Sequence, residues 1–363
     1  MALPDWPRAW GVSPPITATL RAAPADFFVE EQLGFTLTGS GEHCWLWIEK
    51  ENLNTVDAAQ RLAKFAGMQE RDISFGGLKD KNAVTRQWFS LHLINHKVDW
   101  AQWNDPNLRL LEITRHDRKL RRGGHRANRF ELILRNVAGD MAAFEMRLNT
   151  MVSEGVPNYF GEQRFGRDGR NIDNARQWIA AGMPKRQRMQ ISMMLSSLRS
   201  WLFNEVLAAR IVEQSWSRAS DGEVFMLDGT GSVFTQALDE TLEARLVSGD
   251  IHLTGPLPGR ASSVSPSGAV AELEHRVAAQ FVEELAALER VGLTAERRAL
   301  RVIPRDLHWQ QVGATDWQLG FTLPRGCFAT SLVRELATIS PNGFRGEQAF
   351  GGANRNDISG DSA

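Results

Sequence analysis

The 363-residue chain has only two cysteines, Cys44 and Cys327, neither in a CxxC pair, which excludes a disulfide framework and a cysteine-rich zinc site. It has a single tyrosine, Tyr159, so any mechanism that needs a catalytic tyrosine has one candidate. Long apolar runs are also missing. The longest stretch without charge, Ala9 to Leu20, is interrupted by Pro14 and Pro15, whereas a spanning helix needs about 20 apolar residues. The N-terminal MALPDWPRAWG lacks a basic segment followed by an apolar core, so no secretory signal is expected. These absences point to a reduced, cytoplasmic protein. Charge of one sign is lacking too: 42 Lys+Arg against 43 Asp+Glu leave −1, which by itself names no partner. Hydrophobic residues at 42% and charged residues at 23% are those of a globular chain, and this length suggests about two domains.

Apolar alternation in His43–Lys50, Arg86–Leu93 and Arg129–Val137 predicts half-buried strands, with Phe130, Leu132 and Leu134 on one face of the last. Between the first two, a helix is predicted to open at Asn54 or Thr55, to carry Val56, Ala59, Ala63 and Ala66 at helical spacing, and to stop at Gly67. The texture changes near Gly155. A Met-rich helical stretch from Ala138 to Ser153 leads to a Gly/Arg-rich loop through Gly169 and a long helix from Gln190 to about Glu213. Short strands around one helix (221–260), an exposed loop (258–268) and a single helix over about 271–290 follow. Strand texture then returns, with Trp317–Pro324 and a short helix over Phe328–Ala337. Strands, helices and strands again suggest a middle domain inserted into a discontinuous first one. The Gly/Asn-rich stretch from about Ser340 reads as a mobile tail, and no repeat of 20 to 50 residues is present.

Basic residues concentrate in RHDRKLRRGGHRANR, where Arg115, Arg118, Lys119, Arg121, Arg122, Arg126 and Arg129 face one acid, Asp117. So dense a cluster is either a solvated loop or a site for a polyanion, whose binding relieves the repulsion and releases counterions. Arg164, Arg167, Arg170, Lys185, Arg186 and Arg188 add to the second reading, and Gly123–Gly124 fit a turn that lets backbone approach a phosphate. In SFGGLKDKNAV, Asp80 stands between Lys79 and Lys81 on a turn, and two flanking ammonium groups favour the ionised carboxylate that a nucleophile or base requires. In isolation such a turn is more often solvated loop. His92 and His96 fall at a strand end rather than on one helix face, which speaks against a metal site, and DGTGS at Asp228 lacks the spacing of a phosphate-binding loop.

Five blocks, Arg21–Phe35, Ser74–Val84, Arg115–Arg135, Val156–Gly166 (VPNYFGEQRFG) and Pro324–Leu336, together resemble the tRNA pseudouridine synthase D (TruD) family in the same order, over about residues 15 to 338. The resemblance implies a cofactor-free isomerase that detaches uridine 13 of tRNA, turns the base and rejoins it through C5. It implies Asp80 as the catalytic carboxylate, Arg21 as the basic residue orienting it, and Phe27, Asn128 and Phe328 as holders of the target uridine. Phe130 would stand where related synthases place a tyrosine, although its alternation with Leu132 and Leu134 equally suits core packing. Tyr159 and Arg164 are expected to line a cleft or act as hinges. Arg129, between Asn128 and Phe130, departs from the small residue expected there.

The expected fold is therefore α+β: a pseudouridine-synthase catalytic domain with a mixed, largely antiparallel sheet (1–154 and 304–340), an inserted α/β domain (155–303) and a tail (341–363). The expected partner is tRNA, bound through Arg115, Arg118, Lys119, Arg121, Arg122 and Arg126, with no metal, no cofactor and no membrane, and with the protein acting as a monomer. The rivals are a non-catalytic RNA-binding protein on the same fold and a nucleoside or glycoside hydrolase. The second would need another carboxylate to protonate its leaving group.

Overall fold

The computed structural model describes residues 3–11, 13–93, 97–182, 188–260 and 264–340, with only the backbone at Arg167, Arg188 and Met189. His96, Lys185, Arg186 and the tail expected from 341 lie outside the described residues. The elements run β1 (Ile16–Leu20), β2 (Phe27–Leu33), β3 (His43–Glu51), α1 (Thr55–Phe65), β4 (Ile73–Phe75), β5 (Val84–His92), β6 (Leu108–His116), β7 (His125–Gly139) and α2 (Met141–Glu154). Then come β8 (Val156–Pro157), α3 (Arg170–Ala181), α4 (Arg188–Val212), β9 (Phe225–Leu227), β10 (Val233–Phe234), α5 (Glu240–Ser248), β11 (Ile251–Leu257), α6 (Gly268–Ala278), α7 (Val282–Val291), β12 (Glu296–Ala299) and β13 (Arg301–Val302). The last are β14 (Arg305–Gln311), β15 (Trp317–Pro324), α8 (Ala329–Leu336) and β16 (Ala337–Ile339). Among the described residues no helix is long and apolar enough to cross a membrane.

The α+β expectation holds. A ten-stranded sheet has the order β14-β15-β7-β2-β5-β3-β6, with β1 beside β7 and β16, and β4 beside β5. All its pairings are antiparallel except β1 with β16 and β2 with β5. Strand β7 is the spine, because its alternate residues Phe130, Leu132 and Leu134 face a core closed by α2 and α8, opposite Phe321, Leu319 and Trp317 of β15. The other half of the sheet is covered by α1, whose buried stripe is Ala58, Ala59, Leu62 and Ala63; small side chains let it lie close to β3 and β5. Val56, expected on that stripe, is 37% exposed, because position 55 already faces inward and the next residue is rotated by 100°.

The chain leaves this sheet after α2 at Gly155, whose φ of +75° and close approach to the Val302 carbonyl leave no room for a Cβ. Its exit strand β8 pairs with the returning β13, Val156 opposite Val302. Between them, α3 to α7 and the antiparallel sheet β10-β9-β11-β12 enclose a separate apolar core around α4. The helix expected over 271–290 is two helices. The break at Ala279–Phe281 lets α6 face α4 while α7 faces α3, where Glu284 accepts from Arg176 Nε at 2.8 Å. Ala138 belongs to β7, not to the helix that follows it.

Leu132 is fully buried in the centre of β7. Leu132→Ala is expected to cost about 2–5 kcal/mol, seen as a lower urea midpoint with an unchanged slope.

Candidate active site

The sequence Gly76-Gly77-Leu78-Lys79-Asp80 leaves β4 and is pressed down onto the sheet. A Cβ on Gly76 would sit 3.1 Å from both Glu31 Oε2 and His125 Nδ1, and one on Gly77 would be 3.3 Å from His125 Cε1. The two glycines are what permit this approach. Backbone groups along the loop are then tied one after another. The Gly76 carbonyl accepts from Gly123 N (2.7 Å), the Gly77 carbonyl from Gln87 Nε2 (3.1 Å), Lys79 N donates to Thr55 Oγ1 (2.9 Å), and the Asp80 carbonyl accepts from Lys50 Nζ (2.6 Å).

Asp80 keeps its side chain at the surface of this construction, 28% exposed. One carboxylate oxygen lies 3.3 Å from Arg21 Nη2, and the other accepts from Gln163 Nε2 at 3.2 Å. Lys79 does not provide the counter-charge that the sequence suggests. Lys79 turns inward to Glu31 Oε2 (3.0 Å), and Arg21 lies against the Asp80 carboxylate.

Arg21 holds a left-handed backbone (φ +61°), an uncommon conformation for a non-glycine residue. Its guanidinium lies 3.9 Å above the ring of Phe27. The corner is secured by buried Asp26, which accepts from Ala23 N (2.8 Å) and from Arg135 Nη2 (2.6 Å). Phe27 meets Phe130 edge to face, and Phe130 stacks on Phe321 at 5.3 Å; both Phe27 and Phe130 are buried. Asn128 is also buried on β7, with Oδ1 lacking a hydrogen-bond partner. Half-buried Phe328 caps α8 and packs edge to face on Phe160, beside Gly161. Thus Asp80, Arg21, Phe27 and Phe130 form a connected set, while Phe328 adjoins the segment that brings Gln163.

The basic cluster divides. Arg118, Lys119, Arg121, Arg122 and Arg126 are exposed, whereas Arg115 is half-buried and donates to the Leu93 carbonyl (3.1 Å). Leu120 plugs the loop between Trp45 and Trp88, Trp45 Nε1 donates to the Arg118 carbonyl, and Arg122 lies over Phe75 at 4.3 Å. The Gly123 amide, expected to meet a phosphate, is instead spent on Gly76, so the turn joins the basic loop to the Asp80 loop. Arg129 pairs with Glu131 at 2.8 Å.

Two expectations are corrected. Tyr159 is buried, stacks on Trp6 and donates to the Pro7 carbonyl (3.1 Å), so it is a core residue and lines no cleft. Arg164 donates to Ser196 and Ser200 on α4 and lies over Phe160, which removes it from the basic surface. Sequence reasoning missed Gln163, Glu31 and Lys50. Lys50 had a readable signal, being a lysine on the face of β3 that Cys44, Leu46 and Ile48 bury.

Fold and site together define an α+β protein with one clamped carboxylate beside a basic loop. The chain belongs to the tRNA pseudouridine synthase D (TruD) family, a family of isomerases, whose profile it matches over residues 11–185 and 172–336. It is 46% identical to the tRNA pseudouridine synthase D of Pseudomonas putida (strain W619), over 93% of this chain and 96% of that one. To the protein of the same name from Hydrogenovibrio crunogenus it is 41% identical, over 90% and 94% of the two chains. A crystal structure described as TruD from Methanosarcina mazei shares the fold, with a TM-score of 0.65 at 19% identity, over 95% of this chain and 97% of that one.

Burial and the Lys79 and Arg325 cations push the pKa of His125 from 6.5 down to about 4, while Glu31, 3.6 Å away, is committed to Lys79. The folded protein therefore holds His125 neutral where the unfolded chain protonates it. Stability is fully present above about 6.5 and is lost as pH falls towards 4, with about 3 kcal/mol at stake. Urea denaturation at pH 7, 5.5 and 4.5 should show a shallower loss for His125→Gln than for the unaltered protein.

Proposed function

We propose that this protein converts uridine 13 of tRNA to pseudouridine, with Asp80 as the catalytic carboxylate. The observation that carries this reading is the Asp80 side chain, partly open to solvent and held between Arg21 and Gln163 at the foot of an exposed basic loop. A carboxylate can act on the bound nucleotide by attacking C1′, by attacking C6, or by taking the 2′ proton, and each route requires the anion. Arg21 is its counter-charge in all three.

Detachment and rotation of the base require it to leave the RNA stack. Phe27 with Phe130 behind it, and Phe328 beside the segment that brings Gln163, are the apolar surfaces for the flipped uracil. Asn128 supports edge recognition: its orphaned Oδ1 is an acceptor for the uracil N3–H, which would remove the cost of a buried unpaired polar atom. Residues 1–154 with 304–340 form the catalytic domain in this reading, and 155–303 the opposing wall of the RNA cleft. Arg118, Lys119, Arg121, Arg122 and Arg126 track the phosphate backbone. Hydrolysis is the weaker alternative, because Glu31, the carboxylate beneath the loop, is buried and bonded to Lys79 and offers no proton to a leaving group.

Tritium release from C5-labelled uridine in an unmodified tRNA transcript tests the reaction. Asp80→Asn is expected to lower release by roughly 10³-fold or more with tRNA binding retained, and sequencing of the product should place the change at position 13. Release from Asp80→Asn at the unaltered rate would refute the role of Asp80. Replacing Arg121 or Lys119 with Ala should reduce the slope of log affinity against log salt by about 1 each, at positions that contact phosphate.

A further inference from the structure

One charged group touches the Asp80 loop and has no part in the chemistry or RNA contacts above. Lys50 is completely buried on β3, opposite Thr85 of β5 and Leu108 of β6, and its Nζ donates to the Asp80 carbonyl at 2.6 Å. We propose that Lys50 is a positioning residue for Asp80, fixing the peptide of the catalytic aspartate so that its carboxylate stays between Arg21 and Gln163. This rests on the reading of Asp80 as the catalytic carboxylate.

Three observations support it. First, packing alone does not account for an ammonium here. Cys44, Leu46 and Ile48 fill the same face of β3 with apolar side chains, and burying a charge carries a desolvation cost that Met or Leu would avoid. That cost is visible in Lys50 itself, whose pKa burial pushes from 10.5 down to about 7, with the Asp80 charge working in the opposite direction and Lys79 adding to the fall. Second, the Lys50 hydrogen bond goes to the backbone of the very residue that carries the chemistry in that reading. The other loop anchors, from Gly123, Gln87 and Thr55, are neutral and hold residues 76, 77 and 79. At 2.6 Å the Lys50 bond is the shortest of the four, and it acts at the position where displacement matters most. Third, Arg21 and Gln163, from two distant segments, reach Asp80 through its side chain, so neither restrains its backbone as Lys50 does.

The test compares Lys50→Met, Lys50→Gln and Lys50→Arg with Asp80→Asn in steady-state pseudouridine formation on the unmodified tRNA transcript, with thermal melts of every variant. A misplacement near 1 Å corresponds to about a 10²-fold loss. Lys50→Met is therefore expected to lower kcat by about that factor, with KM for tRNA unchanged and a melting temperature no lower than that of the unaltered protein. Lys50→Arg should recover part of kcat, and Lys50→Gln, a neutral donor, should fall between Arg and Met. Unaltered kcat in Lys50→Met overturns the proposal and leaves Asp80 standing if Asp80→Asn is inactive. A rise in KM with kcat preserved, or failure of both Lys50→Met and Lys50→Gln to fold, also overturns it, by assigning Lys50 to RNA binding or to structure alone. Turnover by Asp80→Asn defeats both readings and is recognised in that variant rather than in those at Lys50.

Discussion

Lys79 Nζ and Glu31 Oε2 meet at 3.0 Å with both side chains withdrawn from water, and the path of the chain from β4 to β5 follows from that contact. Breaking such a pair leaves an uncompensated buried charge, which is far costlier than losing a surface ion pair. The pair fixes which side of the loop faces the sheet. Glycines at 76 and 77 are required above the same pair because the backbone there lies almost in contact with Glu31 and His125.

From this anchor the rest of the site is reached in short steps. Gly76 bonds Gly123, which ties the basic loop to the carboxylate loop, and Leu120 holds the basic loop against Trp45 and Trp88. The Arg21 corner approaches from another direction, locked by Asp26 and Arg135, while Gln163 comes from the segment between β8 and α3. Two distant parts of the chain therefore converge on one carboxylate, and a third is tied to the loop that carries it. Each is held by buried polar contacts of its own, so the geometry does not depend on the exposed contacts to Asp80.

Much of this is legible in the residue order. The strands at His43, Arg86 and Arg129, the α1 helix and the long α4 helix follow from periodicity, because a half-buried element must place its apolar residues at the period of its backbone. Asp80 and the density of positive charge from Arg115 onward were visible as composition, and the blocks they belong to resemble one family. The misreadings have a common origin. Val56, Tyr159, Arg164 and Lys79 were each assigned an environment from their neighbours in sequence, but burial depends on what packs from elsewhere. Tyr159 meets Trp6 and Pro7, about 150 residues away along the chain, and Arg164 meets serines of α4.

Residue order alone determined the alternation of strands and helices, the absence of a cysteine framework, the family and the turn that carries Asp80, since these depend on local periodicity and on residue type. Tertiary structure decided which cation faces Asp80, which basic side chains remain exposed, and that a lysine on the apolar face of β3 ends at the Asp80 carbonyl. Those outcomes depend on distances between segments about 30 to 60 residues apart, and electrostatic and hydrogen-bond energies fall away within a few ångströms. No local pattern encodes such proximity; it exists only once the sheet has closed.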